Sequence, residues 1–172
     1  MKMKKIIIAV AFMLGVSSVN AQTFDAGTSV IQLGAAIGSD FGLPLGASYE
    51  YGISEKLGIG AYAGYASKSF ANSYSNLYDY KVTYTLFGAK GSYHFFQSDK
   101  LDAYGSILLG YNSATIKYDN GNANPLFPTP TYGGATYGAS IGARYYFTDN
   151  IAAFGELGYG IGYLTVGLAY KL

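Results

Sequence analysis

Large apolar side chains recur at every second position in eight separate segments of this 172-residue chain. A period of two places alternate side chains on opposite faces of a β-strand. Helices are disfavoured because the chain contains 24 glycines, and each glycine costs about 1 kcal/mol in a helix interior. The predicted strands span residues 28–38, 44–53, 57–67, 80–96, 101–117, 135–147, 151–160 and 162–172.

The connections between these strands alternate between short and long. Short polar turns are predicted at residues 54–56, 97–100 and 148–150, and longer loops at 39–43, 68–79 and 118–134. The last loop is rich in turn-forming residues, because it contains Asn120-Gly121-Asn122 and three prolines. The final connection, around residues 160–162, is short and departs from the alternation. This order favours an up-and-down arrangement of antiparallel neighbours.

The two faces of the predicted strands differ in chemistry. One face carries bulky apolar groups, such as Ile107 and Leu109, and the other is small and polar. Only 12% of the chain is charged, against about 25% in a typical soluble domain. The sequence therefore predicts an eight-stranded antiparallel transmembrane β-barrel, with the polar face lining a narrow lumen. The charges well inside the strands all lie on the luminal face: Glu50, Lys90, Asp102, Arg144 and Glu156.

Aromatic residues on the apolar face fall at two levels, as expected for the two interfaces of a membrane barrel. The level beside the short turns and the C-terminus contains Tyr51, Phe95, Phe147 and Tyr170. The level toward the long loops contains Tyr65, Tyr111, Tyr137 and Tyr159. The alternative fold is a soluble eight-stranded barrel, which would explain the strand count but neither the low charge nor the aromatic belts.

Residues 1–21 have the pattern of a secretory signal peptide, and residues 22–172 form the predicted barrel domain. Three lysines precede an apolar run at residues 6–16, and Val19-Asn20-Ala21 fits a cleavage site. The run is too short to span a bilayer, which takes a helix of about 20 residues. Removing this leader changes the net charge from +1 to −2, and neither value favours nucleic acid as a partner.

The residue types leave little room for catalysis. The chain has no cysteine and one histidine, which excludes disulfides, thiolate chemistry and multi-histidine metal sites. Residues 138–142 match G-x-S-x-G, but no helix follows them, and His94 is predicted at a different depth from Ser140. We expect no enzyme, cofactor or metal site, and we expect His94 to be an interfacial or luminal structural residue.

These features resemble the small eight-stranded OmpA/OmpX-like outer-membrane barrels. The resemblance rests on the leader, the eight repeats, glycine-aromatic strands such as GIGAYAGY at 58–65, and the ending LTVGLAYKL at 164–172. It implies residence in the cell outer membrane, with the short turns and both termini facing the periplasm. It also implies recognition of the C-terminal strand by the barrel-assembly machinery, although Leu172 replaces the common terminal aromatic. No peptidoglycan-binding domain is expected after the barrel.

The expected role follows from the narrow lumen. Eight strands enclose an interior just wide enough for side chains, so the five luminal charges are expected to form a structural ion network that plugs it. The alternative is a gate in which swapped ion pairs open a small pore. The expected function is membrane integrity or adhesion, with the lipid bilayer and an extracellular protein or surface ligand as partners. A narrow pore for solutes and a lipid A-modifying enzyme are the alternatives.

Overall fold

The computed structural model describes residues 23–38, 42–70, 80–118, 131–160 and 162–172. Each strand found there pairs antiparallel with its neighbours in sequence, and β1 also pairs with β8, which closes the barrel. The predicted fold class is therefore confirmed. The strands are β1 (Ser29–Ile37), β2 (Leu45–Gly52), β3 (Leu57–Phe70), β4 (Tyr80–Gln97), β5 (Leu101–Tyr118), β6 (Thr131–Tyr146), β7 (Ile151–Tyr159) and β8 (Leu164–Lys171).

One end of the barrel is made of tight turns, and we call it the short-turn end. Ser54 Oγ accepts a hydrogen bond from the backbone N–H of Leu57 at 3.1 Å, and Thr148 Oγ1 accepts one from Ile151 at 3.0 Å. These side chains stabilise the turns because they compensate backbone groups that the strand ladders leave unpaired. The opposite end, where the longer connections lie, is the loop end.

The two faces of the sheet separate as the alternation predicts. Leu33, Ile107 and Leu168 point away from the lumen and are about 60% exposed, whereas Asp102 and Arg144 point inward and are fully buried. The outside of the barrel is therefore a band of apolar side chains, which is the surface that acyl chains of a bilayer can contact. The core of the molecule is its lumen.

The strands differ greatly in length, and the longer ones extend beyond the barrel at the loop end. β4 and β5 have 18 residues each, whereas β2 and β8 have 8. The β2–β3 pairing ends at Leu45 opposite Tyr65, and the β6–β7 pairing ends at Ala139 opposite Tyr159. Strands β3 to β6 therefore continue beyond the barrel as a four-stranded outer sheet, which comprises residues 66–70, 80–84, 114–118 and 131–132.

Two predicted loop boundaries are wrong. β3 continues to Phe70 instead of ending at residue 67, and β6 begins at Thr131 instead of residue 135. Gly133 and Gly134 predict a loop from local propensity, but β5 extends equally far and supplies their ladder partners. Residues 39–41, 71–79 and 119–130 of the predicted loops, and the whole predicted leader, lie outside the described residues.

Candidate functional site in the barrel lumen

Arg144 is held between two buried carboxylates near the short-turn end of the lumen. Its guanidinium pairs with Glu50 from β2 and, through Nη1, with Asp102 Oδ2 at 3.1 Å. Asp102 and Arg144 are direct cross-strand partners in β5 and β6, so the sheet register brings them together. All three side chains are buried, and a buried charge is tolerated only when it is paired and hydrogen-bonded.

The single histidine bridges the same two carboxylates from the other side. His94 Nδ1 lies 2.7 Å from Asp102 Oδ1, and Nε2 lies 3.2 Å from Glu50 Oε1. A carboxylate only accepts hydrogen bonds, so a ring with a carboxylate at each nitrogen satisfies both contacts only as the imidazolium. We therefore assign a positive charge to His94, which balances the cluster of Glu50, His94, Asp102 and Arg144. We call this group the lower cluster.

A second ion pair lies nearer the loop end. Lys90 Nζ is 2.9 Å from Glu156 Oε1, and the Tyr104 hydroxyl donates to the same oxygen at 2.8 Å. Gln32 Oε1 accepts from both Lys90 Nζ and Arg144 Nη2, each at 3.2 Å. Gln32 thus joins the second pair to the lower cluster, and the luminal charges form one hydrogen-bonded network.

The structure places all five of the predicted charges in this network, but in two groups at different depths. Glu50, Asp102 and Arg144 belong to the lower cluster, whereas Lys90 pairs with Glu156 above it. The sequence prediction did not include three further members, which are Gln32, His94 and Tyr104. Their even-numbered positions put them on the luminal face, and this parity was the available signal.

The lumen above the network is filled mainly by apolar side chains. Tyr62 and Leu108 are buried there, and with Lys90, Glu156 and Phe154, which is opposite Arg144 in the sheet register, they line a cavity of about 40 Å³. A second cavity of about 80 Å³ lies nearer the loop end, where Ala66, Tyr84, Leu86 and Asn112 contribute to its wall. These volumes correspond to a few water molecules at most, which is the scale of packing defects.

A bulge in β4 allows two nearby residues to face the short-turn mouth of the lumen. The pairing with β5 shifts between His94 and Phe96, so Phe95 has no direct partner in the ladder. Beyond this shift Gln97 lies opposite Asp102, and its side chain contacts the N-terminal residues. A β-bulge redirects the side chains that follow it, and here it places His94 and Gln97, three residues apart, at the same mouth.

The residues before β1 cover this mouth, and we call Thr23–Thr28 the N-terminal segment. The Phe24 ring is fully buried and stacks on the His94 ring with centroids 3.7 Å apart and planes at 11°. The backbone N–H of Phe24 donates to Gln97 Oε1 at 3.3 Å, and that of Gly27 donates to Gly52 O at 2.8 Å. No sequence pattern predicted this contact, because the segment lies outside the alternating strands.

The lower cluster packs against Gly58, where the absence of a side chain leaves space for the Glu50 carboxylate. A side chain at Gly58 would collide with the Glu50 carboxylate, whose Cδ would lie 2.9 Å from the new Cβ. We expect Gly58→Val to lower the stability of the folded barrel by about 1–3 kcal/mol, measured as the temperature at which its gel mobility changes to that of the unfolded chain. Gly155→Val is the matched control, because nothing lies within 4 Å of a Cβ there. Equal transition temperatures for both variants would contradict this packing argument.

The eight predicted interfacial aromatics all lie on the outer face of the barrel. Their exposed fractions range from 44% for Tyr51 to 73% for Tyr137. Four of them, Tyr51, Phe95, Phe147 and Tyr170, lie toward the short-turn end, and the other four, Tyr65, Tyr111, Tyr137 and Tyr159, lie toward the loop end. Apolar side chains such as Ile107 and Ile141 occupy the band between the two levels.

The G-x-S-x-G match has no catalytic surroundings. Ser140 lies within β6, and its hydroxyl is 3.5 Å from Glu156 Oε2, while the His94 ring nitrogens contact Asp102 and Glu50 instead. Among the described residues, no group of three or more acidic or histidine side chains has the arrangement of a metal site. No helix in the described ranges is long and apolar enough to cross a membrane.

Three solved outer-membrane proteins share this fold over nearly their whole length. The N-terminal barrel domain of OprF from Pseudomonas aeruginosa matches with a TM-score of 0.61 and 18% identity, over 86% of this chain and 98% of that chain. OprG from the same organism matches with a TM-score of 0.58 and 14% identity, over 89% of this chain and 99% of that chain. At such identities the match shows the fold.

The third similar structure is Ail, the attachment invasion locus protein of Yersinia pestis, in complex with the heparin analogue sucrose octasulfate. It matches with a TM-score of 0.54 and 15% identity, over 86% of this chain and 99% of that chain. No family model and no curated protein matches the sequence. The predicted resemblance to small outer-membrane barrels is confirmed at the level of the fold, and the fold fits that membrane. None of the three proteins is named as an enzyme.

Proposed function

We propose that this chain is an exported outer-membrane barrel that anchors an outer sheet at the cell surface and binds a surface partner through it. The unequal strand lengths carry this proposal, because β3 to β6 extend well beyond the level at which β2 and β7 end. The ordinary length for crossing a bilayer is about 9–11 residues per strand, which β4 and β5 exceed with 18 each. The excess length serves no purpose in spanning the membrane.

The outer sheet has the properties of a binding surface. Phe70 and Tyr80 stack with ring centroids 5.0 Å apart, and Tyr132 is 65% exposed. Aromatic side chains of this kind supply large contact areas at low entropic cost. In the described residues, the part of β6 from Thr131 to Gly138 has no pairing to β7. The backbone groups on this edge are therefore open to a partner strand. The partner proposed here is an extracellular protein or another surface ligand.

Separate removal of the outer sheet tests this function. We expect a barrel in which short turns replace residues 67–83 and 113–133, whose ends are direct cross-strand partners, to restore detergent resistance to cells that lack the protein, but not their adhesion to host-cell or abiotic surfaces. The wild-type chain should restore both. If the shortened barrel restores adhesion as well, the outer sheet is not the binding surface. If the wild-type chain restores detergent resistance but not adhesion, the role is membrane integrity alone.

The contents of the lumen favour a barrel that does not conduct. We propose that the ion network plugs the interior, because eight strands leave room only for side chains and this lumen is filled above and below the network. The alternative is a gate, in which Glu50 and Arg144 exchange partners with Lys90 and Glu156 and open a narrow pore. Lipid A modification is the further alternative, and mass spectrometry should find unchanged lipid A on overexpression.

Planar-bilayer recordings distinguish a plug from a gate. We expect the wild-type protein to show no stable conductance, and Arg144→Ala to show at most brief, irregular openings, because apolar side chains still fill the lumen toward the loop end. The detergent-only bilayer and a porin of known conductance are the controls. A stable single-channel level in the wild type would favour the pore.

Export and assembly complete the proposal. We propose that residues 1–21 direct secretion and that β8, with Lys171 and Leu172 after its apolar residues, is recognised by the barrel-assembly machinery. The short turns and both chain ends would then face the periplasm, and the outer sheet would face outward.

A further inference from the structure

We propose that the N-terminal segment is a detachable closure of the short-turn mouth, which controls the access of water and protons to His94. In the closed state the segment keeps the imidazolium dry between its two carboxylates. In the open state His94 exchanges its proton with water, and the charge balance of the lumen then follows the pH of the periplasmic side. This device goes beyond the proposed surface role, because it does not depend on what the outer sheet binds.

Among the described residues, Phe24 covers the His94 ring on the side of the short-turn mouth. Glu50 from β2, Asp102 and Tyr104 from β5, and Phe24 surround the ring, and its side chain is fully buried. The first two accept its hydrogen bonds, and the Tyr104 ring lies 5.5 Å away. Of these four residues, Phe24 is the one that comes from outside the barrel wall. A flat aromatic face against an imidazolium is also favourable in itself, as a cation–π contact.

The segment is held mainly by the burial of one side chain. The Phe24 ring packs against His94 and in a buried apolar cluster with Val30, Tyr146, Ala152, Phe154 and Ala169. The hydrogen bonds to the barrel are those from Phe24 N–H to Gln97 Oε1 at 3.3 Å, from Gly27 N–H to Gly52 O at 2.8 Å and from Gly52 N–H to Thr28 O at 2.8 Å. The tip of the segment, from Asp25 to Gly27, is exposed. A segment held by one buried side chain and exposed backbone hydrogen bonds opens locally at lower free energy than a barrel whose strands are fully paired.

Opening of the mouth changes the charge balance of the lumen. In the closed state Glu50, Asp102 and Glu156 balance Lys90, Arg144 and His94, three against three. When the segment withdraws and the imidazolium gives one proton to water, the network carries one excess negative charge. The Glu50 and Asp102 carboxylates then lose one of the two cations between them. Their repulsion loosens the lower cluster and keeps the mouth open.

Because the chain has one histidine, a histidine-directed reagent that acylates the neutral imidazole reports on opening and deprotonation at His94 alone. Diethyl pyrocarbonate would be applied to the folded protein in detergent micelles, and adducts at His94 counted by mass spectrometry. The wild type should react much more slowly than the unfolded chain. Phe24→Ala should react at least about tenfold faster than the wild type, since the closed state loses a buried aromatic worth more than the equivalent ~1.4 kcal/mol.

Two further variants make the experiment decisive. Phe147→Ala removes an aromatic at the same end but on the outer face, and it should leave the rate unchanged. Phe24→Leu keeps an apolar group over the ring and should stay close to the wild type. Gel mobility confirms that each variant is folded. A folded Phe24→Ala protein that reacts as slowly as the wild type would overturn the proposal, as would a wild type that reacts as fast as the unfolded chain.

Measuring stability at a series of pH values distinguishes control of the His94 proton from the loss of apolar packing, because packing alone does not depend on pH. The stability of Phe24→Ala should fall, relative to the wild type, as the pH rises, because the open mouth lets His94 lose its proton to water. At acidic pH the imidazolium persists, and the difference should be smaller. A difference that is the same at every pH would show that Phe24 contributes only apolar burial. Conductance and adhesion should not change, so failure here is distinguishable from failure of the proposed function.

Discussion

Arg144→Met should destabilise the barrel by about 3–5 kcal/mol, which is the cost of removing one partner from a buried ion pair. Arg144 is fully buried and contacts Glu50, Asp102 and Gln32. Methionine preserves much of its volume, so the loss arises from the two carboxylates that remain rather than from a cavity. Urea titration in lipid vesicles, followed by the gel mobility of folded and unfolded forms, measures the change.

Two comparisons attribute the effect to charge. Lys56→Met, in an exposed turn at the short-turn end, should change stability by no more than about 0.5 kcal/mol. Arg144→Met combined with Glu50→Gln and Asp102→Asn should recover much of the loss, because neutral amides replace the unpaired carboxylates, and one amide can accept from a neutral His94 ring while the other donates to it. If the combined variant is the least stable of the set, the destabilisation is a packing effect and the charge argument is wrong.

The alternation of odd and even positions along each strand explains why the sequence alone predicts which residues face the lumen. A closed barrel has only an inside and an outside, so alternation assigns Glu50, Arg144 and the other strand charges to the lumen without further information. The same rule assigns Ile107 and its neighbours to the outside. Alternation within eight segments, with odd positions outward in the first seven and even positions outward in β8, therefore predicts the fold and both surfaces.

The alternation does not predict the depth of each luminal charge in the barrel or the residue with which it pairs. Alternation specifies the face of a residue but not its level, which depends on the stagger between strands. Lys90 and Glu156 therefore form their own pair above the lower cluster, although the five charges were expected to meet as one group. Gln32 links the two groups, and a neutral amide on a luminal face gives no electrostatic signal in the sequence.

The contact between Phe24 and His94 was beyond prediction for two physical reasons. The N-terminal segment has no periodicity, so nothing in the sequence assigns Phe24 to an interior. The bulge after His94 shifts the parity of β4, so counting alternate residues from Lys90 assigns Gln97 to the wrong face. The single extra residue of the bulge thus directs Gln97 toward the N-terminal segment, and the bulge is visible only in the strand pairing of the structure.

Ile107→Arg should reduce the amount of folded barrel in membranes most strongly among single changes on the outer face. Ile107 is 62% exposed, lies between the two aromatic levels, and has only Gly91 and Ala139 as cross-strand neighbours. An arginine near the middle of a bilayer costs a membrane barrel about 2–4 kcal/mol, because its charge must leave water. Folding into vesicles of defined thickness, followed by gel mobility, measures this cost directly.

The matched control uses the same substitution on the outward face of the same sheet, but above the upper aromatic level. Thr131 is exposed on the outer sheet, and Thr131→Arg should fold into vesicles like the wild type. The contrast between these variants separates a lipid-facing surface from a water-facing one. In a soluble eight-stranded barrel an arginine at residue 107 would replace an exposed apolar group and raise solubility. Equal folding of both variants would therefore mean that the apolar band does not face lipid, because the penalty arises only where water is absent.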